Sequence, residues 1–348
     1  MKQLALLLTL VLLSSAAAIA QIGGSNAYIA TDLVSSARIS GLGGKFISVW
    51  DEDLNLAYSN PALLDSSDTR QLAMNYGNLF ADVGIGSASY AYHRTGVGTF
   101  AATLNYLSYG DFTERDEFNT DLGTFNASDF VFNIGYGRDI DSLFRVGANL
   151  KFIHSQLAEF TSSAIAADIA GTYRSKNEEF SVGLVIRNVG VPLSNYTEDN
   201  RESLPLGVDL GLSKRLSKSP LRITVTLSDL QQWDLSFIDP AEVGQTDPLT
   251  GEEVPVEEAN FARQFLLHVN SSMEFLLGEN FQLRLGYDFR RRDELALNDR
   301  PGGAGLSWGL GLKIAKMHLN YGRVIYNQAG STNHVGLNLR WNDWKKAS

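Results

Sequence analysis

The chain has 348 residues, no cysteine and a formal net charge of −10 at pH 7. The absence of cysteine excludes a fold held by disulfides and excludes thiolate chemistry. The acidic balance argues against a nucleic-acid-binding protein, which needs a basic surface.

The first 20 residues have the pattern of a secretory signal peptide. Lys2 supplies a positive start, an apolar run covers 4–13, and Ala18-Ile19-Ala20 is a small-x-small cleavage site. A membrane anchor helix is the alternative, but the apolar run is too short to cross about 30 Å of hydrocarbon. We therefore predict a signal peptide over 1–20, cleaved after Ala20.

Residues 21–70 do not alternate like strands, and a short helix is predicted over 30–39 with Thr31 or Asp32 as its N-cap. The glycines at 41–44 end that helix. The segment is too long for a simple leader strand and suits a hatch packed inside the lumen of a barrel. The alternative is a periplasmic tail.

From residue 71 onward, apolar and polar residues alternate. In 145–152, for example, Val, Ala, Leu and Phe occupy the even positions, and Arg, Gly, Asn and Lys occupy the odd ones. A period of two places each set on one face of a strand. The charged face cannot meet lipid without a penalty, so it must line a lumen or meet water.

Fourteen such strands are predicted, an even number that suits a closed antiparallel sheet. A soluble β-sandwich explains the alternation equally well, but not the strand lengths or the pattern of connections. We predict an all-β fold: a transmembrane antiparallel β-barrel over 71–348 with the hatch in its lumen. The strands are predicted at 71–77, 84–93, 97–107, 127–138, 143–155, 162–174, 178–189, 205–214, 219–230, 262–276, 279–291, 304–314, 316–327 and 333–342.

The connections alternate between short and long, which is typical of outer-membrane barrels with short periplasmic turns and longer outer loops. This predicts the cell outer membrane, with both termini periplasmic. The longest connection, at 231–261, is acidic, and it is either a solvated loop or a surface that binds a partner or a divalent cation. The long connection at 107–126 is the next candidate for partner contact. The candidate contact residues are Asp111, Glu114, Glu117, Asp239, Asp247, Glu252, Glu253 and Glu257.

A family resemblance enters at the hatch. The residues that carry it are Gly41, Gly43, Gly44, Asp51, Asp53, Asn60 and Pro61. This pattern resembles the N-terminal signature of the PorV/PorQ family, which is related to FadL-type barrels. Segments 75–78, 98–102, 109–114 and 232–235 resemble the PorQ branch, and the resemblance covers nearly the whole mature chain. No terminal aromatic residue closes the chain, a departure from many barrels.

The resemblance implies a role that periodicity cannot show. Proteins of this branch belong to the type IX secretion machinery, in the outer-membrane attachment complex. The implied partner is a PorZ-like surface protein, and through it a PorU-like sortase and a PorV-like barrel, with outer-membrane lipid around the wall. The alternative function is FadL-like transport of hydrophobic compounds.

Motifs for catalysis are weak. The five histidines are scattered without metal-ligand spacing, and no Gly-x-Ser-x-Gly elbow occurs. Asp51 and Asp53 could act as acid and base, but they fall in the predicted hatch. We predict no enzyme activity, no cofactor and no metal.

Overall fold

The computed structural model describes residues 27–80, 82–197, 202–236, 260–296, 302–326 and 330–340. Fourteen antiparallel strands close into a barrel in which each strand pairs with its neighbours in sequence, and the first pairs with the last. The predicted fold class is confirmed. The predicted signal peptide lies outside the described residues.

The strands have unequal lengths. They are β1 (Gln71–Asn78), β2 (Gly84–Arg94), β3 (Gly98–Arg115), β4 (Asp121–Asp139), β5 (Phe144–Leu157), β6 (Phe160–Arg174), β7 (Phe180–Ser194), β8 (Gly207–Arg215), β9 (Leu221–Leu227), β10 (Val269–Leu277), β11 (Phe281–Asp288), β12 (Leu306–Ile314), β13 (Met317–Ile325) and β14 (Ser331–Arg340). The wall formed by β3–β7 is therefore taller than the wall formed by β8–β14.

Four short α-helices accompany the strands in the described segments. They are α1 (Ala37–Gly41), α2 (Leu56–Ser59), α3 (Phe261–Leu267) and α4 (Phe289–Leu295), and 3₁₀ turns occupy Ile29–Thr31, Pro61–Leu63 and Ser66–Asp68. None of the helices in these segments is long and apolar enough to cross a membrane.

Local side-chain caps correct three of the sequence predictions. The helix predicted over 30–39 is wrong: α1 begins after Ser36, whose side chain accepts from the Ile39 amide. The strands predicted to begin at 262 and to end at 291 are wrong at those ends. Asn260 and Asp288 cap α3 and α4 there, and each accepts from the backbone N–H of the third residue of its helix.

The connection predicted between 107 and 126 is also different in the structure. β3 and β4 continue through it as paired strands, with Phe112 opposite Phe125 and Glu114 opposite Gly123. The alternation that identified the other strands fails here because residues 111–115 are exposed without a buried face. The segment is therefore a ribbon that projects from the barrel.

The exterior of the barrel is apolar between two levels of aromatic residues. Phe100 and Tyr136 pair at the level nearer the short turns, with ring centroids 5.0 Å apart. Tyr106 and Phe130 pair at the other level, 4.6 Å apart. Leu150 lies between these levels with half of its surface exposed. Aromatic girdles that flank an apolar band are typical of the lipid-facing wall of a barrel.

Candidate functional site

The site is the lumen, which residues 27–70 enter as a hatch. α1 contacts β11–β14 and β1, and the Pro61–Leu63 turn contacts β4, β5 and β6. The hatch therefore touches opposite sides of the wall. Two clusters of charged side chains and a row of close backbone contacts hold it there.

Glu274 on β10 is the centre of the first cluster, the Glu274 cluster. Its carboxylate accepts from Arg38 of the hatch at 3.0 Å, from Arg222 on β9 at 2.8 Å and from Arg284 on β11 at 3.3 Å. Glu274 and Arg284 each expose only 1% of their surface. Buried charges require partners of this kind.

Two hatch carboxylates complete the Glu274 cluster. Arg38 contacts Asp53 at 3.0 Å and donates to Asp51 at 2.9 Å, and Asp51 also pairs with Arg222 at 3.1 Å. Three arginines thus face three carboxylates. Burial raises the pKa of Asp51 and of Asp53. The charge and hydrogen bonds of Arg38 act against it, aided by Arg222 at Asp51 and by the Asn55 amide at Asp53, and together they hold each pKa below its usual value. Both carboxylates are ionised partners of Arg38, which disfavours an acid–base role.

The second cluster surrounds Asp32 of the hatch. Asp32 pairs with Arg187 and accepts from Asn188 Nδ2 at 2.9 Å. Arg187 also pairs with Asp209 at 2.6 Å and with Asp229 at 3.3 Å. The Asp32 cluster therefore ties the hatch to β7, β8 and the segment that follows β9.

A β-bulge in β7 makes the Asp32 cluster possible. The register of β6 against β7 shifts between Ala167 and Ile169, so the consecutive residues Arg187 and Asn188 are both buried. Asn188 has a φ of 56°, a conformation that asparagine tolerates better than most residues. A regular strand would turn one of the two side chains toward lipid.

Lys151 extends this cluster along the wall. Its ammonium lies 2.7 Å from Asp168 and donates to Asn188 at 2.9 Å. It also lies over the ring of Tyr58 in the hatch, 5.0 Å from the ring centroid.

Glycines on the inward face of the strands let the hatch backbone lie directly on the wall. A methyl group at Gly147 would overlap the backbone of Pro61 and Ala62, and one at Gly137 would lie 2.7 Å from the Pro61 carbonyl. The same close approach occurs along several other strands. The glycines concerned are Gly183, Gly286, Gly309 and Gly322.

The predicted signature residues make identifiable contacts where the hatch meets the wall. Gly41 lies against Gly309, and the carbonyl of Gly43 accepts from Asn270 at 2.9 Å. Gly43 and Gly44 have φ values of 95° and 99°, which glycine adopts without strain. These contacts turn the chain immediately after α1.

Asn60 and Pro61 form the turn that contacts the opposite side of the wall. The Asn60 side chain donates to the carbonyl of Ile47 at 2.6 Å and accepts from the Ala62 amide at 2.9 Å. Pro61 occupies the first position of the 3₁₀ turn, where a missing N–H leaves no bond unmade.

Apolar residues pack at the long-connection end of the lumen. Tyr28 and Ala30 of the hatch contact inward-facing residues of the wall. The wall residues are Ile85, Leu107, Val131, Ile153, Ala164 and Ala166, and Leu204 joins them from the segment before β8. The sequence analysis did not predict this apolar patch. Its signal is the presence of apolar residues on strand faces that are otherwise polar. The pairing of Glu274 with Arg38 was not predicted either.

One cavity between hatch and wall is small. A cavity of about 50 Å³ is lined by Ser35, Ser87, Thr103, Lys151 and neighbouring residues. This volume suits a few water molecules and is far below the size of a pocket for a drug-sized ligand. In the described residues, no group of His, Cys, Asp and Glu side chains could hold a metal ion.

The predicted contact residues are not brought together with this site. Asp111 and Glu114 lie on the projecting ribbon, and Glu117 lies at its tip. The remaining candidates lie outside the described residues; they are Asp239, Asp247, Glu252, Glu253 and Glu257.

The lumen and wall define a plugged 14-stranded transmembrane barrel, and known structures share this fold. The toluene transporter TodX of Pseudomonas putida is 14% identical, with a TM-score of 0.52 over 88% of this chain and 97% of that one. A FadL homologue of Pseudomonas aeruginosa is 10% identical, with a TM-score of 0.51 over 88% of this chain and 98% of that one. No protein-family model matches the chain, and no curated protein sequence matches it. The shared feature is the FadL-type fold.

Proposed function

We propose that this protein is an outer-membrane anchor of the type IX secretion attachment complex. It holds a PorZ-like protein at the cell surface, and that protein works with a PorU-like sortase and a PorV-like barrel. The observation that carries the proposal is the set of buried ion pairs that join the hatch to the wall. A barrel whose interior is cross-linked by buried ion pairs suits a rigid support better than a conduit.

The hatch contacts support this choice. Arg38 joins Glu274, Asp51 and Asp53 in one buried cluster, and opening the lumen would separate these charges. Breaking a buried ion pair by removing one partner is strongly unfavourable, at about 3–5 kcal/mol. An anchor gains from this rigidity, whereas a conduit must overcome it in every transport cycle.

The β3–β4 ribbon, on the taller side of the wall, is a second argument for a function at the cell surface. Beyond Ser108, the β3–β4 ribbon continues for seven residues of β3, which is about 20 Å of extended chain. The ribbon is at the same end of the barrel as the long connections. The family resemblance at 41–61, together with the PorQ-like segments at 75–78, 98–102, 109–114 and 232–235, supplies the identity of the complex.

Deletion of the gene tests this function. In the deletion strain, the PorZ-like protein should appear in the culture medium instead of on the cells, and secreted cargo should fail to reach the surface. The wild-type gene should restore both. Retention of the surface protein and of cargo display in the deletion strain would rule out the anchor function.

Transport of hydrophobic compounds is the second candidate, favoured by the fold shared with TodX and by the inward apolar patch around Tyr28. Uptake of radiolabelled toluene and of a long-chain fatty acid separates the two functions. A transporter predicts reduced uptake in the deletion strain, with the surface complex intact. An anchor predicts the reverse.

A further inference from the structure

The β3–β4 ribbon leaves the barrel as an isolated pair of strands. Pairing with β2 ends at Ser108, and pairing with β5 begins at Ala127. Beyond these points β3 and β4 pair only with each other, from Asp111 opposite Asn126 to Arg115 opposite Asp121. The Asn126 carbonyl still accepts from the Ala158 amide at 3.0 Å. Within the described residues, no further strand covers the outer edges of the ribbon at 111–115 or 121–125.

Open edges of this kind are normally protected, because they pair readily with other chains. The outer part of β7 shows such protection, since Pro192 interrupts its donors. The ribbon at 109–126 contains no proline. A two-stranded hairpin without a packed face is also only marginally stable in water. An added strand would pair with the free N–H and C=O groups of the ribbon edge and would stabilise the hairpin.

The side chains of the ribbon favour an apolar and basic partner strand. Phe112 and Phe125 stack with ring centroids 5.3 Å apart, and Phe118 at the tip is 80% exposed. The same segment carries five carboxylates and one arginine, Arg115. The carboxylates are Asp111, Glu114, Asp116, Glu117 and Asp121.

A groove beside one edge has the same character. It lies between the ribbon and the β5–β6 turn, with a volume of about 520 Å³. Glu114 and Glu159 supply negative charge, and Phe125 and Phe160 supply apolar surface. A groove beside an exposed strand edge can receive the side chains that one face of an added strand presents.

We propose that the ribbon binds an extended, basic segment of the surface partner as an added β-strand. This inference rests on the anchor function, because it names the part of the anchor that makes the contact. Backbone pairing would supply affinity, and the carboxylates would select lysine or arginine at alternate positions.

Peptide binding to the purified full-length barrel in detergent tests the inference. Three fluorescent probes are used: a peptide alternating Lys with Val, a matched peptide alternating Glu with Val, and the Lys peptide with a central proline. The Lys peptide should bind and weaken with added salt, and the Glu peptide should not bind. The proline should weaken binding by about fivefold or more, since it removes a ladder hydrogen bond.

Two variants localise the contact. Replacing 112–124 by an Asn-Gly turn should abolish binding of the Lys peptide. The double variant D111K/E114K keeps the ribbon and should shift preference toward the Glu peptide. Equal binding of the proline peptide, no binding of the Lys peptide, or unchanged binding to both variants would overturn the inference.

The shortened ribbon also separates this inference from the anchor function. In cells, it should release the PorZ-like protein as the gene deletion does. If the deletion releases that protein and the shortened ribbon retains it, the ribbon inference is wrong and the anchor function stands. If the deletion itself releases nothing, the anchor function is wrong.

Discussion

Arg38 and Glu274 lie 236 positions apart in the chain, and Nη2 of Arg38 is 3.0 Å from Oε1 of Glu274. This contact joins the hatch to β10 of the wall. Both side chains are almost fully buried. The hatch is therefore held by a charge pair that water cannot replace.

Arg38→Met should loosen the hatch. The substitution keeps much of the side-chain volume but leaves Glu274, Asp51 and Asp53 with excess negative charge in a buried site. We expect the barrel to lose about 3–5 kcal/mol of unfolding free energy, and we expect higher conductance in planar bilayers. Urea unfolding and conductance measurements check both outcomes.

Lys214→Met is the matched control for Arg38→Met. Lys214 pairs with Glu179 at 2.9 Å, but its side chain is 47% exposed. An exposed pair contributes about 1 kcal/mol or less. Equal loss of stability in the two variants would show that burial of the Arg38 pairs is unimportant.

Gly147→Val should displace the Pro61 turn. A side chain at Gly147 overlaps the backbone of Pro61 and Ala62, so the hatch must move away from β5. We expect faster proteolysis within residues 27–70 while the barrel still migrates as a folded species on unheated gels. Gly171→Val is the control, since the nearest atom to an added methyl group there is 3.9 Å away. If both variants are digested at the wild-type rate, the close approach does not hold the hatch.

Leu150→Arg should destabilise the barrel through its lipid-facing surface. Leu150 lies between the two aromatic levels, where an arginine is penalised by about 2–4 kcal/mol. Phe118→Arg, at the exposed tip of the ribbon, should have little effect. Urea unfolding of both variants in lipid vesicles measures the difference. A similar loss in each would contradict the assignment of the membrane level.

Acid should release the hatch only at low pH. When the hatch is in place, burial raises the pKa values of Asp51 and Asp53, but their contacts, chiefly with Arg38, bring each pKa below its usual value. A carboxylate with a lowered pKa contributes its full stabilisation of the bound hatch when the pH is above the ordinary pKa. That contribution is lost as the pH falls through the lowered pKa. Conductance should therefore stay constant from about pH 8 to about pH 4 and rise only below that.

The D51N/D53N double variant is the control for this titration. Its hatch should be looser at neutral pH, and its conductance should change less with acid than that of the wild type. A rise in wild-type conductance between about pH 8 and about pH 5 would contradict the prediction, because neither aspartate titrates there.

Much of the barrel is predictable because alternation is a local property. Residues such as Leu150 and Lys151 reveal their faces through a period of two, without reference to any partner strand. The same rule failed at 111–126, where the ribbon has no buried face. It also failed at 261–267 and 289–295, where the side chains of Asn260 and Asp288 cap helices.

The hatch signature was visible in the sequence, but its contacts were not. Gly43, Asn60 and Pro61 imply turns, because glycine and proline restrict the backbone locally. Which strands those turns meet depends on how the closed wall curves around them. The bulge at Arg187 and Asn188 shows the same limit, since an extra inward side chain is apparent only when two strands are paired.

The sequence alone therefore determined the strand number, the two faces of each strand and the presence of a separate N-terminal segment. These follow from local periodicity and from side-chain preferences. Only the tertiary structure decided that Arg38 meets Glu274 and that inward glycines let the hatch backbone lie on the wall. Those facts depend on closure of the barrel, which brings residues hundreds of positions apart into contact through long-range packing and charge.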